Sequence, residues 1–499
     1  MTRPLHFALA TTVVAFTGAC SGMDMGNMDG MGDMDGGMMI PEVIDVDASE
    51  GPFEPSAAPD LDPAPNVVEV ALEAKVSDIE IAPGRTVSMW TYNGQLPGPR
   101  IEARAGDTVR VRFKNSLPEA TTIHWHGVRV PAAMDGVPAA QSPIAAGAEF
   151  TYEFVVPDAG TFWYHPHVRS DEQVERGLYG AFVVHGDAEP TTTTDRTVVL
   201  DDLLVDTNWQ LSDFDPMMQA MVGRQGNVIL ANGWAHPIAG VARGGLHRFR
   251  FINAANARYF RLALPGHRLI QIGTDGGFLP APREVDELLL VPGERADVLV
   301  VARGEANETM EWTSLRYDRG HGTGDLPDAV VFQMKHGSDA PITTPATPGA
   351  FTPIAELPAA TVQREIKLEE SMAMGGGDHG AGHGSSMTDM APVFSINGEV
   401  FPDVTPLAAT LETVEEWAIV NTTEMDHPFH LHGFRFQVVS VDGAAPSVVA
   451  WRDSINIPAE KTVNFRVRLE DNPGMWMFHC HILEHAERGM MGELEVAAP

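Results

Sequence analysis

Basic residues are scarce in this 499-residue sequence. It contains 33 Lys and Arg against 68 Asp and Glu, which gives a formal net charge of −35 at pH 7. Such a chain has no basic face that could meet a phosphate backbone, so nucleic acid is excluded as a partner. The acidic charge attracts cations, or it only keeps the protein soluble, and composition leaves both interpretations open.

Long apolar stretches at helical spacing are also few. Glycine (48) and proline (37) are instead plentiful. Many short runs alternate apolar with polar residues, as in DTVRVRFKN and TVNFRVRLE. This alternation favours an all-β fold of antiparallel sandwiches. Because domains have roughly 100–200 residues, the length predicts about three of them.

Only two cysteines are present, Cys20 and Cys480. Residues 1–20 have the pattern of an export signal. One early arginine precedes an apolar stretch that is too short to span a bilayer. The end of this segment, TGAC, resembles a bacterial lipoprotein cleavage box, although Thr17 stands where leucine is usual. Lipid attachment at Cys20 and ordinary signal-peptidase cleavage nearby are the two alternatives. We expect an exported protein of the bacterial periplasm, held at the outer membrane only where Cys20 is lipidated.

Export has a consequence for the second cysteine. No twin-arginine pair is present, so export is expected to precede folding and metal loading. Once Cys20 is lipidated, Cys480 has no disulfide partner. A lone cysteine in an oxidising compartment is a hazard unless something occupies it.

Low-complexity and proline-rich segments divide the chain. Residues 21–65 combine a Met-, Asp- and Gly-rich run, predicted to be disordered, with an acidic, proline-rich spacer. The segments GDAEPTTTTD and DAPITTPATPGAFTPIAELP predict linkers further along. We therefore predict three domains: 66–190, 191–345 and 346–499. A Gly-, His- and Met-rich insert at 371–390 is predicted to form an exposed loop in the last domain.

Ten of the 19 histidines lie in four clusters. The clusters are HWH (His124, His126), HPH (His165, His167), HPFHLH (His427, His430, His432) and HCHILEH (His479, His481, His485). On a strand, the two rings of an H-x-H pair leave the same face and can converge on one site. Four such clusters beside a lone cysteine indicate metal binding. Two clusters lie in the first predicted domain and two in the third, so we expect the site where these domains meet.

The segment HCHILEHAERGMM suggests which metal is bound. A thiolate, two imidazoles and a weak axial thioether form the blue-copper electron-transfer site. Cys480, His485 and Met490 could surround one ion, with His427 as the second imidazole, whereas Met491 is the likelier core residue of the two methionines. If Cys480 points one way on an extended segment, its neighbours His479 and His481 point the other way. They could then hold metal ions of a separate cluster, a short covalent path away.

The sequence resembles the multicopper oxidases, the family of laccases and bacterial cuprous oxidases. The resemblance covers the chain beyond residue 65. It is carried by the segments NGQLPGPRIEARAGDTVRVRFKNSL, TTIHWHG, GTFWYHPH, LLVPGERADVLV, HPFHLHGFRFQVV and MFHCHILEHAERGMM. It implies three cupredoxin-like Greek-key β-sandwich domains, with a copper-free middle domain. It also implies four coppers: one type-1, one type-2 and a type-3 pair.

The resemblance implies a ligand set and a reaction. The type-1 copper would be held by His427, Cys480, His485 and Met490. The type-2 copper would take His124 and His430, and the type-3 pair would take His126, His165, His167, His432, His479 and His481. The reaction is one-electron oxidation of a substrate at type-1 copper, coupled to four-electron reduction of O2 to water.

Oxygen reduction also needs protons. Asp135 matches an acidic residue that members of the family use near the cluster, although an Asp-Gly turn is the alternative interpretation. Many bacterial relatives have an acid directly after the residue that matches His485, and Ala486 stands there in this chain. The resemblance therefore leaves Glu484 and Glu487 as the candidate acids on that side.

Methionine-rich segments bear on the identity of the reductant, because thioethers are soft ligands that select Cu(I). The run at 21–39 carries seven methionines: Met23, Met25, Met28, Met31, Met34, Met38 and Met39. The insert carries soft and imidazole ligands together: Met372, Met374, Met387, Met390, His379 and His383. It lies where copper-efflux oxidases carry a Met-rich segment over the type-1 site.

A second substrate feature directly precedes His427. Met425 matches a position that helps to bind substrate Cu(I) in the cuprous oxidases. Thr423 occupies the place of the usual acid, with Glu424 and Asp426 as candidate replacements. The main hypothesis is a cuprous oxidase of copper homeostasis and tolerance. The alternatives are a laccase-like oxidase of phenols, Fe(II) or Mn(II), and a copper-storage protein without turnover.

Replacing Cys480 with serine should abolish intense blue absorption, because the thiolate is the ligand that defines the blue-copper site. The measurement is the visible spectrum of the copper-loaded variant beside that of the wild type. Retained blue colour would disprove the type-1 assignment.

Overall fold

The computed structural model describes residues 41–51, 53–213, 218–320, 323, 327–374 and 390–499. The predicted export signal, Cys20 and the run at 21–39 lie outside these residues, as do positions 375–389 of the insert. Residues from Ile40 to Pro499 form one compact unit.

The first sandwich, residues 67–185, consists of two four-stranded sheets with orders β2-β1-β4-β6 and β3-β8-β7-β5. Its strands are β1 (Val67–Ala82), β2 (Arg85–Tyr92), β3 (Gly98–Arg104), β4 (Thr108–Asn115), β5 (His124–His126), β6 (Glu149–Val155), β7 (Gly160–His165) and β8 (Gly180–His185). Val70 and Val111 of one sheet share a core with Trp125 and Phe182 of the other, so the sheets pack face to face.

The middle sandwich, residues 194–336, pairs a sheet of order β11-β10-β9-β13-β18-β15-β16 with one of order β12-β20-β19-β14-β17. Its strands are β9 (Thr194–Leu203), β10 (Val228–Ala231), β11 (Trp234–Ala235), β12 (Ile238–Val241), β13 (Leu246–Asn253), β14 (Phe260–Ala263), β15 (Leu269–Thr274), β16 (Gly277–Val285), β17 (Glu287–Leu290), β18 (Arg295–Val301), β19 (Thr309–Leu315) and β20 (Ala329–His336). Phe249, Trp312 and Phe332 lie in the core between these two sheets.

The third sandwich, residues 362–497, pairs sheets of order β22-β21-β24-β28-β26 and β23-β30-β29-β25-β27. Its strands are β21 (Val362–Met374), β22 (Met390–Ile396), β23 (Leu407–Thr410), β24 (Val414–Asn421), β25 (His427–Leu431), β26 (Phe436–Val441), β27 (Ser454–Ile457), β28 (Thr462–Arg468), β29 (Gly474–Cys480) and β30 (Met491–Ala497). Trp417 of the first sheet packs against Phe478 of the second, and Phe465 of the first packs against Phe429 of the second. The predicted all-β fold of three sandwiches is confirmed, and the predicted domain boundaries stay predictions.

The helices of the described residues are all short. They are a 3₁₀ helix (Ala132–Met134), α1 (Ser170–Glu175), α2 (Met218–Val222) and α3 (Leu483–Glu487). None of the described helices has the length and apolar character needed to cross a bilayer.

The proline-rich spacer before β1 packs along two sandwiches. The Ile44 amide donates to the Asn227 carbonyl at 2.7 Å, and the Ala58 amide donates to the Arg100 carbonyl at 2.8 Å. Between them, Phe53 enters the core of the middle sandwich, where its ring centroid lies 5.2 Å from that of Phe332. Composition did not predict these contacts.

Replacing Phe53 with alanine should lower the free energy of unfolding by about 3 kcal/mol, because the change removes a buried aromatic ring from a packed core. Denaturant unfolding of the variant measures the loss. The matched control is Leu61→Ala in the same spacer, where the side chain is 45% exposed and the expected change is below about 0.5 kcal/mol. Equal midpoints for both variants would show that the spacer contributes nothing to the core.

Candidate metal centres

The last residues of β29 supply side chains to two separate clusters. Cys480 Sγ lies 3.5 Å from His427 Nδ1 and 3.8 Å from His485 Nδ1. His479, one residue earlier, has its Nε2 atom 3.0 Å from His432 Nε2. The ring of His481, one residue later, lies 5.0 Å from that of His126. Alternation along an extended backbone therefore sends the cysteine to one cluster and both neighbouring histidines to the other.

The first cluster, His427, Cys480 and His485, is a triangle of one sulfur and two nitrogens. The two Nδ1 atoms are 3.3 Å apart, and all three side chains are buried. Burial raises the pKa of the Cys480 thiol, so a bound cation would have to displace its proton. Sulfur and imidazole donors within reach of one point suit a soft or borderline metal ion.

The outer nitrogens of the two imidazoles are both held. His427 Nε2 lies 2.8 Å from Thr423 Oγ1. His485 Nε2 lies 3.2 Å from the Met221 carbonyl oxygen, to which it donates a hydrogen bond. Met221 belongs to α2 of the middle sandwich, and no sequence signal indicated that this helix covers the cluster.

The two adjacent methionines after α3 lie in different cores. Met490 is fully buried in the same core as Cys480, and its carbonyl accepts from the Cys480 amide at 3.1 Å. Met491 packs instead with Ala486, Met477 and Val137. This arrangement places Met490 beside the first cluster and Met491 away from it.

The second cluster contains the eight other candidate histidines, all buried, where the first and third sandwiches meet. They come from β5, β7, β25, β29 and the residues that follow β7, β25 and β29: His124, His126, His165, His167, His430, His432, His479 and His481. Three triads among them have ligand atoms within 4.8 Å of one another: His124–His126–His165, His124–His430–His432 and His167–His432–His479.

Backbone carbonyls orient half of these eight rings. The Nδ1 atoms of four histidines donate to carbonyl oxygens at 2.8–2.9 Å, and the pairs are His124–Asp135, His165–Pro166, His430–Asp453 and His479–Cys480. Their Nε2 atoms therefore face the interior of the cluster. Among the described residues, six ring nitrogens of the cluster have no hydrogen-bond partner: His124 Nε2, His126 Nδ1, His165 Nε2, His430 Nε2 and both nitrogens of His481.

Seven of these eight histidines favour the neutral form. Burial, and then repulsion from neighbouring imidazoles, holds the pKa values of His165, His167 and His481 well below the usual range. The pKa of His479 falls to about 3 for the same reasons. A neutral imidazole keeps its lone pair for a metal ion, so buried nitrogens that face one another fit a bound metal cluster.

Asp135 lies inside the second cluster with no exposed surface. Its Oδ2 accepts from His432 Nδ1 at 2.8 Å, while its carbonyl accepts from His124. Asp135 therefore orients two rings, His432 through its carboxylate and His124 through its carbonyl, as outer hydrogen-bond acceptors do around metal-bound histidines.

The acids of α3 lie apart from the histidines. Glu484 Oε1 accepts from Asn256 Nδ2 at 2.7 Å, and Glu487 Oε1 accepts from the Ser170 amide and hydroxyl, each at 2.7 Å. Burial raises the pKa of both carboxyls. Asp171, which the sequence did not single out, has its pKa raised to about 8 by burial and by repulsion from Glu487 and Glu484. Ala486 packs against apolar side chains.

The candidate substrate residues beside His427 do not converge on one point. Met425 is fully buried, and its sulfur accepts from Arg319 Nη1 at 3.5 Å. Asp426 is buried and accepts from Tyr317 Oη and Asn456 Nδ2, each at 2.7 Å. Glu424 is exposed.

The insert methionines are only partly described. Met372, on β21, is 40% exposed. The Met374 and Met390 backbones pair across β21 and β22. Met387, His379 and His383 lie outside the described residues.

Comparison with known proteins extends over most of the chain. Three family models, each described as multicopper oxidase, match residues 73–189, 197–324 and 379–499. The chain is 31% identical to multicopper oxidase MmcO of Mycobacterium tuberculosis, over 83% of this chain and 84% of that protein. It is 30% identical to multicopper oxidase mco of Staphylococcus aureus, over 85% of this chain and 88% of that protein.

Solved structures agree with these sequence matches. A multicopper oxidase from Campylobacter jejuni, described as a metallo-oxidase, superimposes with a TM-score of 0.78 at 31% identity. The superposition covers 92% of this chain and 96% of that one. The match confirms the predicted cupredoxin-like class of the sandwiches, and the family implies copper, which the histidine clusters fit. The chain belongs to the multicopper oxidase family.

Proposed function

We propose that this protein couples four one-electron oxidations of a reductant to the reduction of O2 to two waters. The observation that carries the proposal is the split at Cys480, whose side chain enters one donor cluster while His479 and His481 enter the other. One peptide unit on each side joins the two clusters, so an electron has a short covalent path between them.

The proposed ligands follow the two clusters. Type-1 copper is assigned to His427, Cys480, His485 and Met490. Type-2 copper is assigned to His124 and His430, and the type-3 pair to His126, His165, His167, His432, His479 and His481. When bound, copper would supply one-electron redox chemistry at the first cluster and dioxygen reduction at the second.

The chain itself would position the ligands, exclude water and hold protons. Asp135 keeps the Nδ1 proton of His432 directed outward, so that His432 Nε2 faces the other rings of the cluster. Burial of the rings keeps bulk water from the second cluster. Glu484 and Glu487 are proposed proton carriers on the side of α3, with Asp171 beside them.

The proposed reductant is Cu(I), in a role in copper tolerance. The support comes from composition: seven methionines at 21–39, and four methionines with two histidines at 371–390, offer soft ligands that select Cu(I). The relative from C. jejuni is described as a metallo-oxidase. The same segments motivate an exported location, because such ligands would gather copper outside the cytoplasm.

One specific contact favours phenols, the substrates of a laccase-like oxidase, over metal ions, and Fe(II) and Mn(II) stay further candidate substrates. The Met425 sulfur faces the guanidinium of Arg319, and a fixed cation there repels an incoming metal ion. Cu(I) would therefore have to bind elsewhere, and the Met-rich segments are the remaining candidates. Two donor clusters joined through one cysteine disfavour the hypothesis of a storage protein, because copper storage does not require electron transfer between sites.

Copper-loaded protein should consume oxygen when it is supplied with Cu(I) or a phenol, and copper-free protein should not. An oxygen electrode measures the uptake. The His481→Ala variant should keep its blue absorption and lose uptake, because it alters only the second cluster. Absence of uptake by the wild type with every reductant would contradict both oxidase hypotheses and favour storage.

Deleting residues 371–390 should abolish Cu(I) oxidation while phenol oxidation is kept or raised. The reason is that the insert would supply the soft ligands and also cover the first cluster. Both rates are measured on one preparation. A matched variant keeps the length of the insert but replaces its four methionines and two histidines with serine, which separates ligand chemistry from steric cover. Unchanged rates in both variants would make the insert a linker and remove the main support for Cu(I).

A further inference from the structure

Arg295 is a fully buried arginine of the middle sandwich, at the start of β18. Its Nη1 and Nη2 atoms donate to Asp453 Oδ1 and Oδ2, each at 2.6 Å. The remaining hydrogens go to three carbonyl oxygens: Nε to Thr161 at 3.0 Å, Nη1 to Gly293 at 3.1 Å and Nη2 to Asp275 at 3.1 Å. All five donors of the guanidinium are thus used.

These contacts join the three sandwiches beside the second cluster. Thr161 lies on β7, the strand of the first sandwich that ends at His165. Asp453 directly precedes β27 of the third sandwich, where Ser454 pairs with His430. Arg295 therefore connects a middle sandwich that supplies no candidate ligand with β7, which supplies His165, and with β27, which pairs with the ligand-bearing strand β25.

Asp453, which Arg295 holds in place, in turn contacts two histidines. Its carbonyl oxygen accepts from His430 Nδ1 at 2.9 Å. Its Oδ1 atom lies 3.3 Å from His126 Nε2 and accepts from Ser454 Oγ at 2.9 Å. Ser454 Oγ is in turn 3.1 Å from His126 Nε2. Because both carboxylate oxygens are bound by Arg295, Asp453 is placed as a hydrogen-bond acceptor for the rings.

The ring of His126 is therefore oriented differently from three other rings of the second cluster. His124, His165 and His430 turn Nδ1 outward, whereas His126 turns Nε2 outward, toward Asp453 and Ser454. The inward atom of His126 is Nδ1, which has no hydrogen-bond partner among the described residues. Gly293, two residues before Arg295, backs the same ring, since a Cβ there would lie 3.0 Å from His126 Cε1 and 2.9 Å from His481 Cδ2.

We propose that Arg295 is a positioning residue of the oxygen-reducing centre, acting through Asp453 to select Nδ1 of His126 as the metal-facing nitrogen and to fix the His430 ring. The inference rests on the proposed function for the identity of that centre. It assigns the middle sandwich a role beyond that of a spacer. The bidentate geometry explains why lysine cannot substitute, since an ammonium is a point donor without a fork.

The test compares Arg295→Lys with wild-type protein by two readouts besides turnover. Copper content and the electron paramagnetic resonance signal of the second cluster should change. Reoxidation of the reduced protein by O2 should slow about 10- to 100-fold, the usual effect of losing an outer partner of a metal ligand. Anaerobic bleaching of the blue absorption by the reductant should stay unchanged, because the first cluster has no contact with Arg295 among the described residues.

Two further variants keep the test decisive. Arg248→Lys is the matched control, because Arg248 is a buried arginine of the middle sandwich that pairs with Asp297 and Glu189 and contacts no candidate ligand among the described residues. It should leave both readouts unchanged.

Ser454→Ala removes one hydroxyl beside His126 and should alter the resonance signal with copper content kept, even if Arg295→Lys fails to fold. Unaltered signals in Arg295→Lys and Ser454→Ala, or equal changes in Arg248→Lys, would overturn the proposal. Failure of the wild type to consume oxygen would instead contradict the proposed function.

Discussion

Successive side chains of an extended strand leave opposite faces, and both candidate metal centres depend on this at the end of β29. Cys480 lies between two histidines whose rings enter a different cluster from its own. A helical segment would turn by about 100° per residue, spread three consecutive side chains over about 200° and could not sort them into two sites. The strand is held in place by β25 on one side, where His430 pairs with His479, and by β30 on the other.

The second cluster also requires an interface between the first and third sandwiches from which water is excluded. Eight imidazoles packed together would repel one another if they were protonated, and burial lowers the pKa values of seven of them, which favours their neutral form. The interior is built by the first and third sandwiches, which each provide four of the rings. The middle sandwich completes it from behind, with Gly293 against the rings and Arg295 bound to Asp453, and α2 covers His485 of the first cluster. The proline-rich spacer adds a further connection between the first and middle sandwiches.

The parts that could be predicted from the sequence are local. An H-x-H pair on a strand carries its own geometry, and the position of Cys480 between His479 and His481 already predicts two destinations. The all-β class followed from short alternating runs and frequent glycine and proline. The contacts that escaped prediction join residues far apart in the chain, such as Arg295 with Asp453, 158 positions away, and His485 with Met221, 264 positions away. No spacing rule links such pairs, because only the packing of whole sandwiches brings them together. Asp171 and the contact of Arg319 with Met425 escaped for the same reason.

The central claim is that one strand end serves two copper centres. Anomalous X-ray diffraction at the copper absorption edge, on crystals of the copper-loaded protein, tests it most directly. The account predicts four copper positions: one bonded to Cys480 Sγ, His427 and His485, and three enclosed by the eight histidines of the second cluster. Copper bound at the cysteine with none among those eight histidines, or histidines sharing a single ion with Cys480, would contradict it.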